Sequence, residues 1–326
     1  MQRILITGGA GFIGSHLAET LLARGCHVTL IDNLSTGNTD NVRHLIGHER
    51  FRLAIETLNN EMVLDRLVSE CDVIFHLAAA VGVQLIIRNP VRTIETNILG
   101  TEAVLRAARR YRARVLIAST SEVYGKSSQV PYREDADIVL GPTARNRWAY
   151  AASKMVDEFL ALAYYHEHSL PVTLFRLFNT VGPRQTGRYG MVIPRFVQQA
   201  LAGQAITVYG NGAQTRCFCN VQDAVRAIIG LAESEAALGQ VFNIGSTEEV
   251  TILELARRTL LAVNGEQAGW REQITFVPYA EAYAEGFEDM LRRVPDISKI
   301  ERAIGWRPTI PLDETLRQVI EFSSRR

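Results

Sequence analysis

Two rhythms of apolar and polar positions share the first half of the chain. Arg3-Ile-Leu-Ile-Thr7, His27-Val-Thr-Leu-Ile31, Phe51-Arg-Leu-Ala-Ile55, Asp72-Val-Ile-Phe-His76, Arg114-Val-Leu-Ile-Ala118 and Pro171-Val-Thr-Leu-Phe-Arg-Leu-Phe178 are short apolar runs. Runs of that length and composition read as buried strands. Between them apolar residues recur at helical spacing from Phe12 to Arg24, near 61–70, over 97–111 and from Trp148 to about His168. Strands alternating with helices of this length predict an α/β fold with a doubly wound parallel sheet. Beyond residue 178 the elements shorten to a helix around Val192–Ala202, a strand Ile206-Thr-Val-Tyr209 and smaller pieces. The pattern predicts a sheet domain of residues 1–178 plus about 214–247. A smaller, mostly C-terminal α+β substrate domain, about 179–213 and 248–326, would cap the sheet's C-terminal edge.

Composition narrows the function classes. Lys plus Arg and Asp plus Glu are 35 each over 326 residues, a formal charge of zero, where a nucleic-acid or membrane surface would show a basic excess. No apolar run approaches a membrane span and the N-terminus starts directly on a strand, so neither span nor signal peptide is expected. Cys26, Cys71, Cys217 and Cys219 lack metal-ligand spacing and read as reduced thiols of a cytoplasmic protein, with no metal site.

Candidate chemistry begins between the first strand and helix, at Gly8-Gly9-Ala10-Gly11-Phe12-Ile13-Gly14. Glycines there permit a tight turn, backbone approach to a pyrophosphate and close helix–strand contact, with the helix N-terminus facing the phosphate charge. A strand, this glycine pattern and a helix together predict a Rossmann-type dinucleotide site. Asp32 ends the second strand, where a carboxylate accepts from the adenosine ribose and repels a 2′-phosphate, favouring NAD over NADP. Asn33 follows it. His76 reads as a packed histidine rather than a base, and the small residues of Leu77-Ala78-Ala79-Ala80 suit backbone lying against the cofactor. Asn97, opening a helix, can be a cap.

Thr120, Ser121 and Glu122 fall at a strand's C-terminal end, where open α/β sheets keep their sites. Tyr150 and Lys154 stand four apart on one helix and share a face. An ammonium beside a phenol, with the positive ring of an oxidised nicotinamide, would draw a tyrosine from about 10 toward neutrality, where it can take a hydroxyl proton.

The glycine pattern, Asp32, His76-Leu-Ala-Ala, Thr120-Ser-Glu122 and Tyr150-x-x-x-Lys154 resemble the extended short-chain dehydrogenase/reductase family that modifies nucleotide sugars, over nearly the whole chain. The resemblance implies that Tyr150 is the catalytic base and that Lys154 holds it and the nicotinamide ribose. It places NAD against Gly8, Gly11, Phe12, Ile13, Gly14, Asp32, Asn33, Leu77, Ala78, Ala79, Asn97, Phe178 and Val181. It implies Asn179, Val192, Thr207, Tyr209, Arg216 and Arg293 at the nucleotide sugar, with Arg292 as the alternative to Arg293. It further implies a homodimer formed by helices near 97–111 and 150–168. Non-catalytic relatives on this fold typically lose the tyrosine or lysine, and both are present here.

Family likeness implies oxidation of the sugar at C4 and leaves three fates for the ketone: decarboxylation, epimerisation or 4,6-dehydration. Glu122 implies chemistry at C5, since simple 4-epimerases carry a small polar residue there. Ser121 stands where many dehydratases carry the aspartic acid that protonates a departing C6 hydroxyl, although GDP-mannose dehydratases share Thr-Ser-Glu. UDP-glucuronate decarboxylases also carry Thr-Ser-Glu. Gly141-Pro142 through Arg147-Trp148-x-Tyr150, Gln214-Thr-Arg216 and Arg293-x-Pro295 resemble theirs, with Arg293 a partner for a carboxylate. Leu85-Ile-Ile-Arg88 before Asn89-Pro90, and Arg184–Gly190, depart from them. The expected activity is UDP-glucuronate decarboxylation to UDP-xylose or its 4-keto form, with a UDP-sugar 4-epimerase or a 4,6-dehydratase as the alternatives.

Overall fold

The computed structural model describes residues 1–82, 89–187, 191–265, 269–278, 281, 290 and 292–325. The first half runs β1 (Arg3–Thr7), α1 (Phe12–Ala23), β2 (His27–Asp32), β3 (Phe51–Ile55), α2 (Glu61–Ser69), β4 (Val73–His76), α3 (Pro90–Tyr111) and β5 (Arg114–Thr120). After it come α4 (Ala149–His168), β6 (Val172–Leu177), β7 (Thr180–Val181), α5 (Val192–Leu201), β8 (Ile206–Tyr209), β9 (Thr215–Cys217) and β10 (Cys219–Asn220). The last part holds α6 (Val221–Glu233), β11 (Val241–Ile244), β12 (Glu249–Thr251), α7 (Ile252–Asn264), β13 (Ile274–Val277), β14 (Arg292–Arg293), α8 (Ser298–Ile304) and α9 (Leu312–Ser324).

Seven strands form one sheet in the order β3-β2-β1-β4-β5-β6-β11, every neighbour parallel. The order reverses between β1 and β4, the crevice where a doubly wound sheet binds its ligand. The pleat explains why these strands are apolar throughout. Ile4 and Ile6 enter one buried cluster with helix residues such as Leu17 and Ile228, while Leu5 enters a second with Val104 and Ala161. The strands inside the sheet are covered on both faces, as a parallel sheet requires, and the edge strand β3 turns residues such as Arg52 and Ile55 outward.

A third apolar cluster lies apart, built from α5, α7, α9 and β8 around Phe196, Leu255 and Leu316. Next to it β9 pairs with β12 and β14. Residues 215–217 therefore stand outside the large sheet, to which α6 and β11 return the chain.

Helix α3 begins at Pro90, not at 97, with proline in the first turn. Its opening turns escaped the periodicity because their apolar residues, Val91, Ile94 and Leu99, are exposed, whereas Thr93, Asn97 and Thr101 are buried. Asn97 is thus mid-helix and caps nothing. Leu85–Arg88 and residues 188–190 lie outside the described residues. Among the described residues no helix is long and apolar enough to cross a membrane, and no group of three metal-ligating side chains occurs. All four cysteines are free.

Candidate active site

A cleft of about 820 Å³ crosses the C-terminal ends of β1, β2, β4 and β5. Its floor is backbone. Gly8 takes φ +68°, and a Cβ there would stand 2.9 Å from the Ala78 backbone. A Cβ at Gly14 would stand 2.5 Å from the Gly8 carbonyl oxygen, so the turn and α1 touch. Gly11 caps α1 without any side-chain hydrogen bond, leaving the first amides directed into the cleft. Phe12, Ile13, Asn33, Leu77, Ala78, Ala79 and Val181 also line it.

Asp32 is buried, and its carboxylate accepts from the amides of Ala10 (3.0 Å) and Leu34 (2.8 Å). Burial pushes its carboxyl upward while those amides pull it down. Lone pairs remain on both oxygens for a ribose diol. Gly37 bends across it so closely that a Cβ would lie 2.8 Å from either oxygen, a requirement the sequence reading did not single out. These features fit an NAD cofactor, its pyrophosphate over the glycine turn and its ribose at Asp32.

The opposite wall is made of side chains. Thr120 ends β5, and its hydroxyl accepts from the Glu122 amide (3.2 Å), starting a short turn over Ser121–Tyr124. That turn delivers Ser121 and Glu122 to the cleft and sends Val123 and Tyr124 into the core, where Tyr124 stacks on Tyr132 at 4.6 Å. Gly125 closes it at φ +57° against the Val139 carbonyl, which no side chain would allow.

Glu122 is gripped from two sides, by Arg147 Nη1 at 2.5 Å and Arg293 Nη1 at 2.7 Å, both arginines buried and the Glu122 side chain 15% exposed to the cleft. Burial would raise the Glu122 carboxyl, but the charges of Arg293 and Arg147 outweigh it and hold it at about 2. Arg147 was visible in the motif before Tyr150 but was not counted as a site residue. The neighbouring arginines now separate cleanly. Arg292 has its side chain 54% exposed and forks onto Glu249, whereas the Arg293 side chain is 7% exposed and faces the cleft.

Tyr150 lines the same wall, hydrogen-bonded to the Thr120 side chain. Burial raises its phenol first, the Glu122 charge raises it further, and the Thr120 contact lowers it. Four residues on along the same helix, the Lys154 ammonium donates to Asp157 at 2.7 Å, both groups fully buried. His76 is a packed residue. Its Nδ1 meets the Thr7 hydroxyl at 2.8 Å and its Nε2 meets Thr101 at 3.1 Å, and burial with the Lys154 charge holds it at about 3.

Asn179, Val192, Tyr209 and Arg216 line the far end of the cleft, and the Asn179 amide donates to the Cys217 carbonyl (3.0 Å). Four expected residues, Lys154 beneath Tyr150 among them, do not line it. Thr207 exchanges hydrogen bonds with Gln199 behind the wall. Phe178 is fully buried beside Tyr124 and Tyr132. Asn97 accepts from the Ala80 amide (2.8 Å) and donates to Ser153 (2.9 Å), so it braces the loop after β4 from beneath.

A family model described as GDP-mannose 4,6 dehydratase matches residues 5–319. The chain belongs to that family. Its members share this Rossmann-type body, and the relatives differ in the chemistry they are named for. A Bacillus cytotoxicus protein named UDP-N-acetyl-alpha-D-glucosaminuronate decarboxylase is 41% identical over 322 residues, covering 98% of this chain and 97% of the relative. UDP-glucuronic acid decarboxylase 1 of Danio rerio is 41% identical over 326 residues, 99% of this chain and 73% of the relative. Among solved structures, UDP-glucuronic acid 4-epimerase from Bacillus cereus, in complex with UDP-glucuronic acid and NAD, superposes with a TM-score of 0.86 at 29% identity, covering 99% of each chain.

Proposed function

We propose that this protein is an NAD-dependent decarboxylase of a UDP-linked uronate, with UDP-glucuronate the first candidate. The observation that carries the reading is the Arg147–Glu122–Arg293 cluster that lines the cleft beside Tyr150. Two guanidinium charges against one carboxylate leave a local charge of +1, which suits a C6 carboxylate and has no use for a neutral CH2OH. The decarboxylase names of the relatives agree with it.

NAD, when bound, would accept the C4 hydride and, where UDP-xylose rather than its 4-keto form is released, return it to C4 as Tyr150 gives the proton back to O4. Tyr150 removes the proton from the C4 hydroxyl and Thr120 hydrogen-bonds O4, leaving a 4-keto sugar. That ketone makes the uronate a β-keto acid. The C5–C6 bond then breaks, its electron pair moves into the C4 carbonyl, carbon dioxide departs and a proton returns to C5. Tyr150 and Thr120 are placed to hold the enolate oxygen. Arginines that gripped the carboxylate too firmly would stabilise the ground state, and catalysis gains only from contacts stronger in the transition state. Glu122 shares the two guanidinium groups with the substrate and so tempers that grip. A carboxyl held at about 2 is a weak base, which argues against Glu122 as the C5 base of a dehydratase.

The test is an NMR time course of the purified protein with UDP-glucuronate and no added reductant. Carbon dioxide release with formation of UDP-xylose or its 4-keto form is expected. A C4-inverted uronate would make the protein an epimerase, and no change would sink the uronate reading.

We read residues 1–178 with about 218–247 as the NAD-binding domain and the remainder as the nucleotide-sugar domain. Four free cysteines agree with a reducing, cytoplasmic setting. Packed helices α3 and α4 carry the exposed apolar residues Val91, Ile94, Leu99, Val156 and Phe159, which supports a homodimer through that pair.

A further inference from the structure

Asp157 is fully buried, carries a charge, and lies outside the cleft. It receives the Lys154 ammonium on Oδ2 at 2.7 Å, while Oδ1 accepts no full hydrogen bond among the described residues. The Thr101 hydroxyl is near enough to favour the charged form. Behind Thr101 a chain of hydrogen bonds continues. His76 joins Thr101 to the Thr7 hydroxyl, and Thr7 accepts from the Ala78 amide (3.2 Å) in the loop that floors the cofactor cleft. A buried ammonium is tolerated only with a counter-ion and a fixed geometry. It has three donors, of which this pairing uses one.

The geometry points to Asp157 as a positioning residue that anchors Lys154, so that the ammonium's two remaining donors are aimed at the Tyr150 oxygen and the nicotinamide ribose. The inference rests on the reading of Tyr150 as the C4 base. The chain from Ala78 to Asp157 also ties the height of the lysine to the cofactor floor. Other charged or titratable groups around the pair have separate work. Glu158, next on α4, is held by Arg176 of β6 (2.7 Å) and Ser119 of β5. His76 of β4 stays neutral at about 3, and among the described residues α3 presents Thr101. Asp157's own charge raises the Tyr150 phenol, as does Glu122. The two effects of removing Asp157 therefore oppose each other. Loss of its direct charge favours the phenolate, and loss of the anchored ammonium disfavours it.

Asp157→Asn in the full-length protein separates them. The rate of UDP-glucuronate C4 oxidation is followed against pH, and NAD affinity of the cofactor-stripped protein is measured by calorimetry. The expected result is an acid limb moved to higher pH by about one unit, hence about tenfold less activity on that limb. NAD should bind about tenfold more weakly, with KM for UDP-glucuronate within about twofold. Thr101→Val should move the limb the same way by less, which keeps the test open if Asp157→Asn folds badly. An unmoved limb with unchanged NAD affinity would make Asp157 a fold residue only, and a limb moved to lower pH would reduce it to a charge acting on the phenol. Either overturns the inference. An active Tyr150→Phe would instead sink the base assignment itself. If wild type does not turn over UDP-glucuronate, the decarboxylase reading fails and NAD affinity still decides on Asp157.

Discussion

The two sides of the cleft are built from different materials. The cofactor side is backbone: glycines 8, 11 and 14, the open end of α1, and one carboxylate pinned by two amides. The sugar side is buried charge gathered from three distant places, Glu122 after β5, Arg147 before α4 and Arg293 in β14. Backbone sites are fixed once the strand–turn–helix unit forms. Charge sites hold only while every partner is present, because a buried ion left alone costs several kcal/mol. Steric changes should therefore damage the first side, and changes of charge or pH the second.

Gly14→Val should have the largest effect. Its Cβ would meet the Gly8 carbonyl at 2.5 Å and the Gly9 Cα at 2.8 Å, backbone that cannot step aside. Overpacking of that kind costs about 3 kcal/mol, and NAD affinity by calorimetry should fall more than about 100-fold. Retained affinity would mean the floor is softer than its backbone suggests. Arg293→Ala should come next, leaving Glu122 with Arg147 alone. Breaking such a pair costs about 3–5 kcal/mol. Divided between folding and turnover, that predicts a kcat at least about 100-fold lower and a reduced Tm, with NAD affinity unchanged.

Acid should distinguish the sides without mutation. The Glu122 carboxyl lies at about 2 in the folded protein, below its ordinary value of 4.5. A lowered folded value stabilises above the ordinary pKa, and that contribution is lost as pH falls from about 4.5 through about 2. Denaturant titrations at several pH values should show this loss in wild type and a smaller one in Arg293→Ala. Equal losses would show that the cluster is not what acid attacks. Arg292→Ala should do least. Its pair with Glu249 is on the surface, so stability should change by less than about 0.5 kcal/mol and kcat by less than about twofold. An Arg292 effect as large as that of Arg293 would erase the contrast between neighbours.

Sequence legibility followed the same division. Strands 3–7, 51–55 and 206–209 were readable to the residue, and the glycine turn and Asp32 with them, because all are local patterns in which spacing states the physics. The exposed start of α3 was hidden, since its apolar residues face outward. Thr207, Phe178 and Asn97 lie near the cleft in the chain, but likeness to a family does not say which side of a wall a side chain takes. Gln199 claims Thr207 and Ser153 claims Asn97. Arg147 and Asp157 were missed for a related reason. Arg147 earns its role only by meeting Arg293 across Glu122, an encounter that leaves no mark in local spacing, and Asp157 by anchoring Lys154 inside the fold, where its three-residue spacing looks like any surface helix pair.

The two-residue strand β14 gives the cleft a birth order. Chains emerge from the ribosome N-terminus first and fold unit by unit. β1, α1 and β2 can set the dinucleotide turn while most of the chain is unmade, whereas β14 must wait for residues 292–293 before pairing with β9. Until then Glu122 has one arginine instead of two. A nascent or C-terminally truncated chain thus holds a finished cofactor floor beside an unfinished sugar wall, and its last tenth decides when it becomes an enzyme.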